Sequence, residues 1–148
     1  MTAAVNLHAC AVALAGRGVL IRGPAGSGKS ALVLALLRRG AGVEAEFVAD
    51  DRVIAEPCEG AIKLSAPAEI AGLLEIAGLG IVREPFRPSV PLWLVVDLVP
   101  PAAIIRHPPP RTAEILGHLA PLLSLPQRDA ALSTDILTTL AISGRLPD

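Results

Sequence analysis

The stretch Gly23-Pro24-Ala25-Gly26-Ser27-Gly28-Lys29-Ser30 decides how the rest of the chain is read. It meets the pattern Gly-x-x-x-x-Gly-Lys-Ser, in which glycines let the backbone curl until successive N–H groups face phosphate oxygens. In that pattern the Lys29 ammonium reaches the β- and γ-phosphates of a nucleoside triphosphate, and the Ser30 hydroxyl can ligate Mg2+. The alternative is an ordinary glycine turn between a strand and a helix. The flanks favour the phosphate reading. Val19-Leu20-Ile21-Arg22 reads as a short strand before the loop, and Ser30 to Arg39 as a helix after it. Gly40 and Gly42 give that helix its stop, and Arg38 and Arg39 suit the negative end of its dipole. A helix opening at Lys29 also turns its positive end toward a bound anion. Its apolar residues run all round, which predicts packing on more than one side.

Upstream, Val5 to Leu14 is apolar enough for a buried strand, with a turn expected at Arg17-Gly18. Downstream, Phe47-Val48-Ala49 reads as a short strand ending at Asp50-Asp51, with Arg52 to Ala55 continuing it to a turn near Pro57 to Gly60. In phosphate-loop enzymes a strand end of this kind presents a carboxylate to the metal site. Two adjacent carboxylates permit a division of labour, one holding metal through water and the other taking a proton from an attacking hydroxyl. A solvated turn or a cap explains the pair equally well.

Further along, Ala68 to Leu74 is expected to form a short helix after Pro67, ended by Gly78-Leu79-Gly80. Arg83 to Pro91 reads as a loop, Leu92 to Leu98 as the strongest strand of the second half, and Pro100 to Arg111 as irregular. Arg128 to Ile142 reads as a closing helix. No internal repeat or domain boundary is visible, so residues 1–148 are expected to form one domain.

Composition narrows the classes. Hydrophobic residues make up 52% of the 148, and 13 basic against 14 acidic residues leave a net charge of −1. No overall basic field exists to draw in nucleic acid or an anionic membrane. Phe47, Phe86 and Trp93 are the only aromatics, too few for base-stacking platforms. Cys10 and Cys58 share no metal-ligand spacing, and two cysteines do not make a disulfide scaffold. The run from Met1 to Gly16 lacks a positive start and is broken by Asn6 and His8, so it is not expected to be a signal peptide. No stretch reaches the roughly 18 apolar residues of a membrane helix. A cytoplasmic chain is the expectation.

Several residues are bland alone. His8, in an apolar segment, reads as a core histidine with a satisfied hydrogen bond. Glu75 reads as a solvent-facing glutamate. Arg106-His107 and Gln127-Arg128-Asp129 read as surface loops.

Together they are less bland. His8, the glycine-rich segment, Val48-Ala49-Asp50-Asp51 and Leu73-Leu74-Glu75-Ile76-Ala77-Gly78-Leu79-Gly80-Ile81 occur in an order that resembles the C-terminal catalytic domain of HPr kinase/phosphorylase. The last string is the specific part. The likeness runs from about His8 to Val82 and looks most like the short version, without the N-terminal domain. It implies an ATP-dependent kinase acting on a serine of an HPr-type phosphocarrier of a bacterial phosphotransferase system, reversible in many members. It also implies an α/β core of the phosphoenolpyruvate carboxykinase type, with a central sheet and flanking helices, assembled as a homohexamer.

At matching positions the resemblance implies that His8 lines the phosphate site and Lys29 binds the transferring group. Ser30 and Glu75 would hold Mg2+, and Asp51 would take the serine proton with Asp50 beside it. Arg106 matches a catalytic arginine only through its place after the Leu94-to-Leu98 strand. The family's signature usually has arginine where this chain has Ala77, and only Val82 to Pro91 fills the space of a longer loop that contacts the phosphocarrier. Kinase activity is therefore expected ahead of the reverse reaction. A small-molecule kinase and a non-catalytic nucleotide-sensing module remain as alternatives.

Overall fold

In a computed structural model of the chain, which describes residues 3–39 and 42–143, eleven strands and two helices form an α/β fold. The Val5 to Leu14 segment is two strands, β1 (Val5–His8) and β2 (Cys10–Leu14), parted at Ala9. The turn after β2 falls at Ala15-Gly16, both at positive φ, rather than at Arg17-Gly18. Those two residues instead open β3 (Arg17–Arg22). Helix α1 spans Lys29–Arg39, and its expected stop at Gly40 lies outside the described residues. β4 (Ala45–Ala49) ends at the acidic pair as expected. β5 (Arg52–Cys58) does not continue it: the chain turns at Asp51 and β5 pairs with β1 and with β6 (Ala61–Ser65).

The helix expected over Ala68 to Leu74 is absent. Only Ala68–Ile70 makes a 3-10 turn, and β7 (Leu73–Ile76) then forms a hairpin with β8 (Gly80–Arg83). Tertiary context overrides local composition here. Gly72 sits at φ +79 against the Phe86 ring, a conformation no helix contains. β9 (Val90–Val99) is the long central strand. The proline-rich segment is irregular but for a 3-10 turn at Pro101–Ala103. β10 (Thr112–Ile115) and β11 (His118–Pro126) follow, and α2 closes the described chain at Ala130–Ser143.

The main sheet runs β1-β5-β6-β9-β3-β2-β4, with β11 beside the second half of β9 and β10 beside β11. β9 is parallel to β3 and to β11, whereas β2 is antiparallel to both β3 and β4. Period-2 alternation splits the buried residues into two cores. Cys10, Val12, Leu14, Val19, Ile21, Leu94 and Val96 face α1 and α2, meeting Leu32, Val33, Leu36, Leu137 and Leu140. Ala9, Ala11, Ala13, Leu20 and Val95 face the other way, onto Val53, Ala55, Ile62 and Leu64. Both helices therefore lie on one face, and strands cover the opposite one. α1 touches the sheet and α2, which accounts for its all-round apolarity.

Candidate active site

Strand direction assembles the site. Because β2 runs against β3 and β4, its start at Cys10 lies at the same sheet edge as the ends of those two strands. Cys10 sits opposite Ile21, and Ala11 opposite Ala49. His8, Cys10, Gly23 and Asp50 are thus delivered to one edge, where β9 and β11 also end.

The glycine-rich loop leaves β3 and curls back through a Ser27 N–H donating to the Pro24 carbonyl at 3.0 Å. Gly26 and Gly28 hold positive φ, which their missing Cβ allows. The amides that open α1 have no partner inside the helix and are free to meet an anion. Lys29 is only 8% exposed, and its Nζ donates to the carbonyls of Gly23 at 2.7 Å and Pro24 at 3.2 Å. The ammonium therefore lies within the curl of the loop.

Asp50 and Asp51 have separate environments. Asp50 is 6% exposed. Its Oδ1 accepts from the Ser30 hydroxyl at 2.7 Å and from the Cys10 thiol at 3.1 Å, and its Oδ2 accepts from the Glu75 N–H at 3.0 Å. Burial pushes the Cys10 thiol up, and the Asp50 charge pushes it further, so the thiol remains a donor. Asp51 stands at φ +71 in a three-residue turn whose Arg52 N–H donates to the Asp50 carbonyl at 2.8 Å. Such a turn is rare and strained, and strain of this kind gathers at functional positions. The turn points Asp51 outward, where its Oδ1 lies 3.2 Å from His8 Nε2 with both side chains more than half exposed.

Ser30, Asp50, Asp51, Ile70, Leu73, Glu75 and Ile81 line one cavity of about 240 Å3. A larger hollow of about 420 Å3 lies under the proline-rich segment, but among the described residues Arg111 is its one ionisable lining residue. Among the described residues no group of three His, Cys, Asp or Glu side chains forms a metal cage. Arg106 is exposed on its loop and lines neither space. Ala77 is exposed on the β7–β8 turn, with Gly78 beside it at φ +88.

Two participants escaped the sequence. Arg128, read as surface, clips the glycine-rich loop: its N–H donates to the Ser27 carbonyl at 3.0 Å and its Nε to the Gly26 carbonyl at 2.9 Å. A Cβ on Gly28 would stand 3.3 Å from the Arg128 backbone. Arg128 itself has φ +59, which nothing in its residue type announces. Cys10, read only as sharing no metal-ligand spacing with Cys58, touches Asp50. Its position two residues after His8, on the strand next to β3, was the available signal.

The profile of the HPr Serine kinase C-terminal domain matches residues 1–85. HPr kinase/phosphorylase of Clostridium tetani (strain Massachusetts / E88) is 42% identical over 80 residues, 54% of this chain and 25% of that one. The enzyme of the same name from Listeria monocytogenes serotype 4a (strain HCC23) is 44% identical over 80 residues, 53% and 24% of the two chains. The chain spans about a quarter of the length of these relatives. Among solved structures, that of the HPr(Ser) kinase/phosphatase from Coxiella burnetii superposes with a TM-score of 0.82 at 27% identity, covering 95% of this chain and 90% of the other.

Proposed function

The chain belongs to the HPr serine kinase C-terminal domain family, and from that membership we propose that it transfers the γ-phosphoryl group of ATP to a serine of an HPr-type phosphocarrier. The observation that carries this reading is the single cavity shared by Ser30, Asp50, Asp51 and Glu75 at the mouth of the glycine-rich loop. The loop, set between a parallel-paired strand and a helix, is read as the phosphate loop of a carboxykinase-type core.

Each residue has a role that its surroundings support. Lys29 neutralises the transferring group from inside the loop. Arg128 holds the loop's curl by its two carbonyl contacts. Asp51 accepts the serine proton from an exposed position that an incoming protein surface can reach, and His8 orients its carboxylate. Ile70, Leu73 and Ile81 make an apolar wall of the same cavity, against which the segment carrying the acceptor serine would lie.

The donor set fits Mg2+, because Ser30, Glu75 and Asp50 offer hard oxygens and the phosphates would complete the shell. When bound, that ion supplies charge neutralisation at the phosphates. The Ser30 hydroxyl donates its hydrogen bond to Asp50, which leaves the oxygen lone pairs free for a metal. Arg106 stands outside this set.

The test is mass spectrometry of an HPr-type protein after incubation with this chain, ATP and Mg2+. Phosphate on one serine is expected. Binding of magnesium–ATP without phosphate on any protein would replace the reading with that of a nucleotide sensor.

A further inference from the structure

We infer that Cys10 is a positioning residue of this site, its thiol fixing the rotation of the Asp50 carboxylate that aims the Ser30 hydroxyl. The inference rests on the reading of Ser30 as a metal ligand. Asp50 collects three donors from three elements: the thiol from the start of β2, the hydroxyl from the first turn of α1 and the Glu75 amide from β7. Rotation about the last bond of an aspartate is otherwise soft. The Glu75 amide pins Oδ2, and the thiol together with Ser30 pins Oδ1.

Without the thiol, Oδ1 keeps only Ser30, which is the group to be aimed, and the carboxylate pivots about its Glu75 contact. Solvent does not replace the lost donor, because Cys10 is 1% exposed among Val12, Ile21 and Leu74. Partners of this kind tune a metal site through the residues that ligate it.

Manganese, a hard stand-in for magnesium, gives the readout by electron paramagnetic resonance in the presence of a non-hydrolysable ATP analogue. Cys10→Val keeps volume and suits a strand, whereas Cys10→Ser keeps a donor. The valine chain should bind manganese about tenfold more weakly at an unchanged urea midpoint, the low end of such effects because S–H is a weak donor. The serine chain should stay within about threefold of the parent. Parental affinity in the valine chain overturns the inference, and so does equal weakening in both variants, which would make packing the cause. A parent that binds no manganese overturns the nucleotide reading and this inference with it.

If the valine chain does not fold, the S–H Raman band decides in a Cys58→Ser background. A band lowered in frequency that returns to the free-thiol position in Asp50→Ala, which removes the acceptor oxygen, supports the bond. A band already at the free-thiol position overturns it.

Discussion

Asp50 and Asp51 are neighbours in the chain, yet one is buried under three donors and the other faces solvent beside His8. A single positive φ at Asp51 produces that division. Asparagine tolerates the same conformation, so Asp51→Asn removes the carboxylate proposed as the base without disturbing the turn. Single-turnover phosphorylation should fall by about 10²–10⁴-fold while ATP affinity changes little, and near-parental rates would remove the base role. Lys29→Ala takes away the cation inside the loop and should abolish transfer, with a thermal midpoint close to the parent's. Retained turnover would return the loop to an ordinary turn.

The two thiols should separate under a thiol reagent at neutral pH: exposed Cys58 reacts, and buried Cys10 reacts only after denaturation. The raised Cys10 value also has a sign. The folded chain favours the neutral thiol, so its stabilisation is whole below the ordinary thiol value of about 8.5 and is lost as pH rises above it. The chain has no tyrosine to titrate in the same range. The unfolding free energy from urea titrations should decline above that pH at up to about 1.4 kcal/mol per pH unit, and less steeply in Cys10→Val.

Elements carry these residues only as well as their pairing allows. β3 delivers the glycine-rich loop, and at its start Gly18 lies so close to β9 that a Cβ would stand 2.6 Å from the Pro91 carbonyl oxygen and 2.9 Å from Val90 Cγ1. The obstacle is backbone, which cannot swing aside. Gly18→Ala should cost about 3 kcal/mol in urea unfolding, the upper end of over-packing, and a cost below about 0.5 kcal/mol would show that the two strands slide freely. The β7–β8 hairpin shows the limit of local reading. Its Leu73-Leu74-Glu75-Ile76 segment has the composition of a helix and the burial of a strand, Leu74 inward and Glu75 outward. Pairing with Gly80–Arg83 decided between them.

Across the whole molecule, the segment after residue 85 contributes much of the shared core. Leu94, Val96, Leu125, Leu137 and Leu140 pack with Val19, Ile21 and Leu32 of the first half. α2 also places Arg128 at its head, where Asp129 Oδ1 accepts from the Leu132 N–H at 3.2 Å as a cap. Leu137 is fully buried, so Leu137→Ala should cost about 2–5 kcal/mol in urea unfolding. A negligible loss would mean that α2 is dispensable to this core.

By itself the sequence determined the glycine-rich loop, the strand and helix beside it, and the acidic pair at the end of β4. These depend on glycine freedom, dipole direction and apolar runs, all of which act within a few residues. Local sequence did not show that His8, Asp50 and Glu75 share one edge, which only the resemblance implied, and tertiary structure alone added Cys10 and Arg128 to it. Their contacts span from 25 residues, between Asp50 and Glu75, to 102, between Gly26 and Arg128. Which strands pair, and in which direction, is settled by burying two faces of one sheet at once, and that sum is not written in any local stretch of the chain.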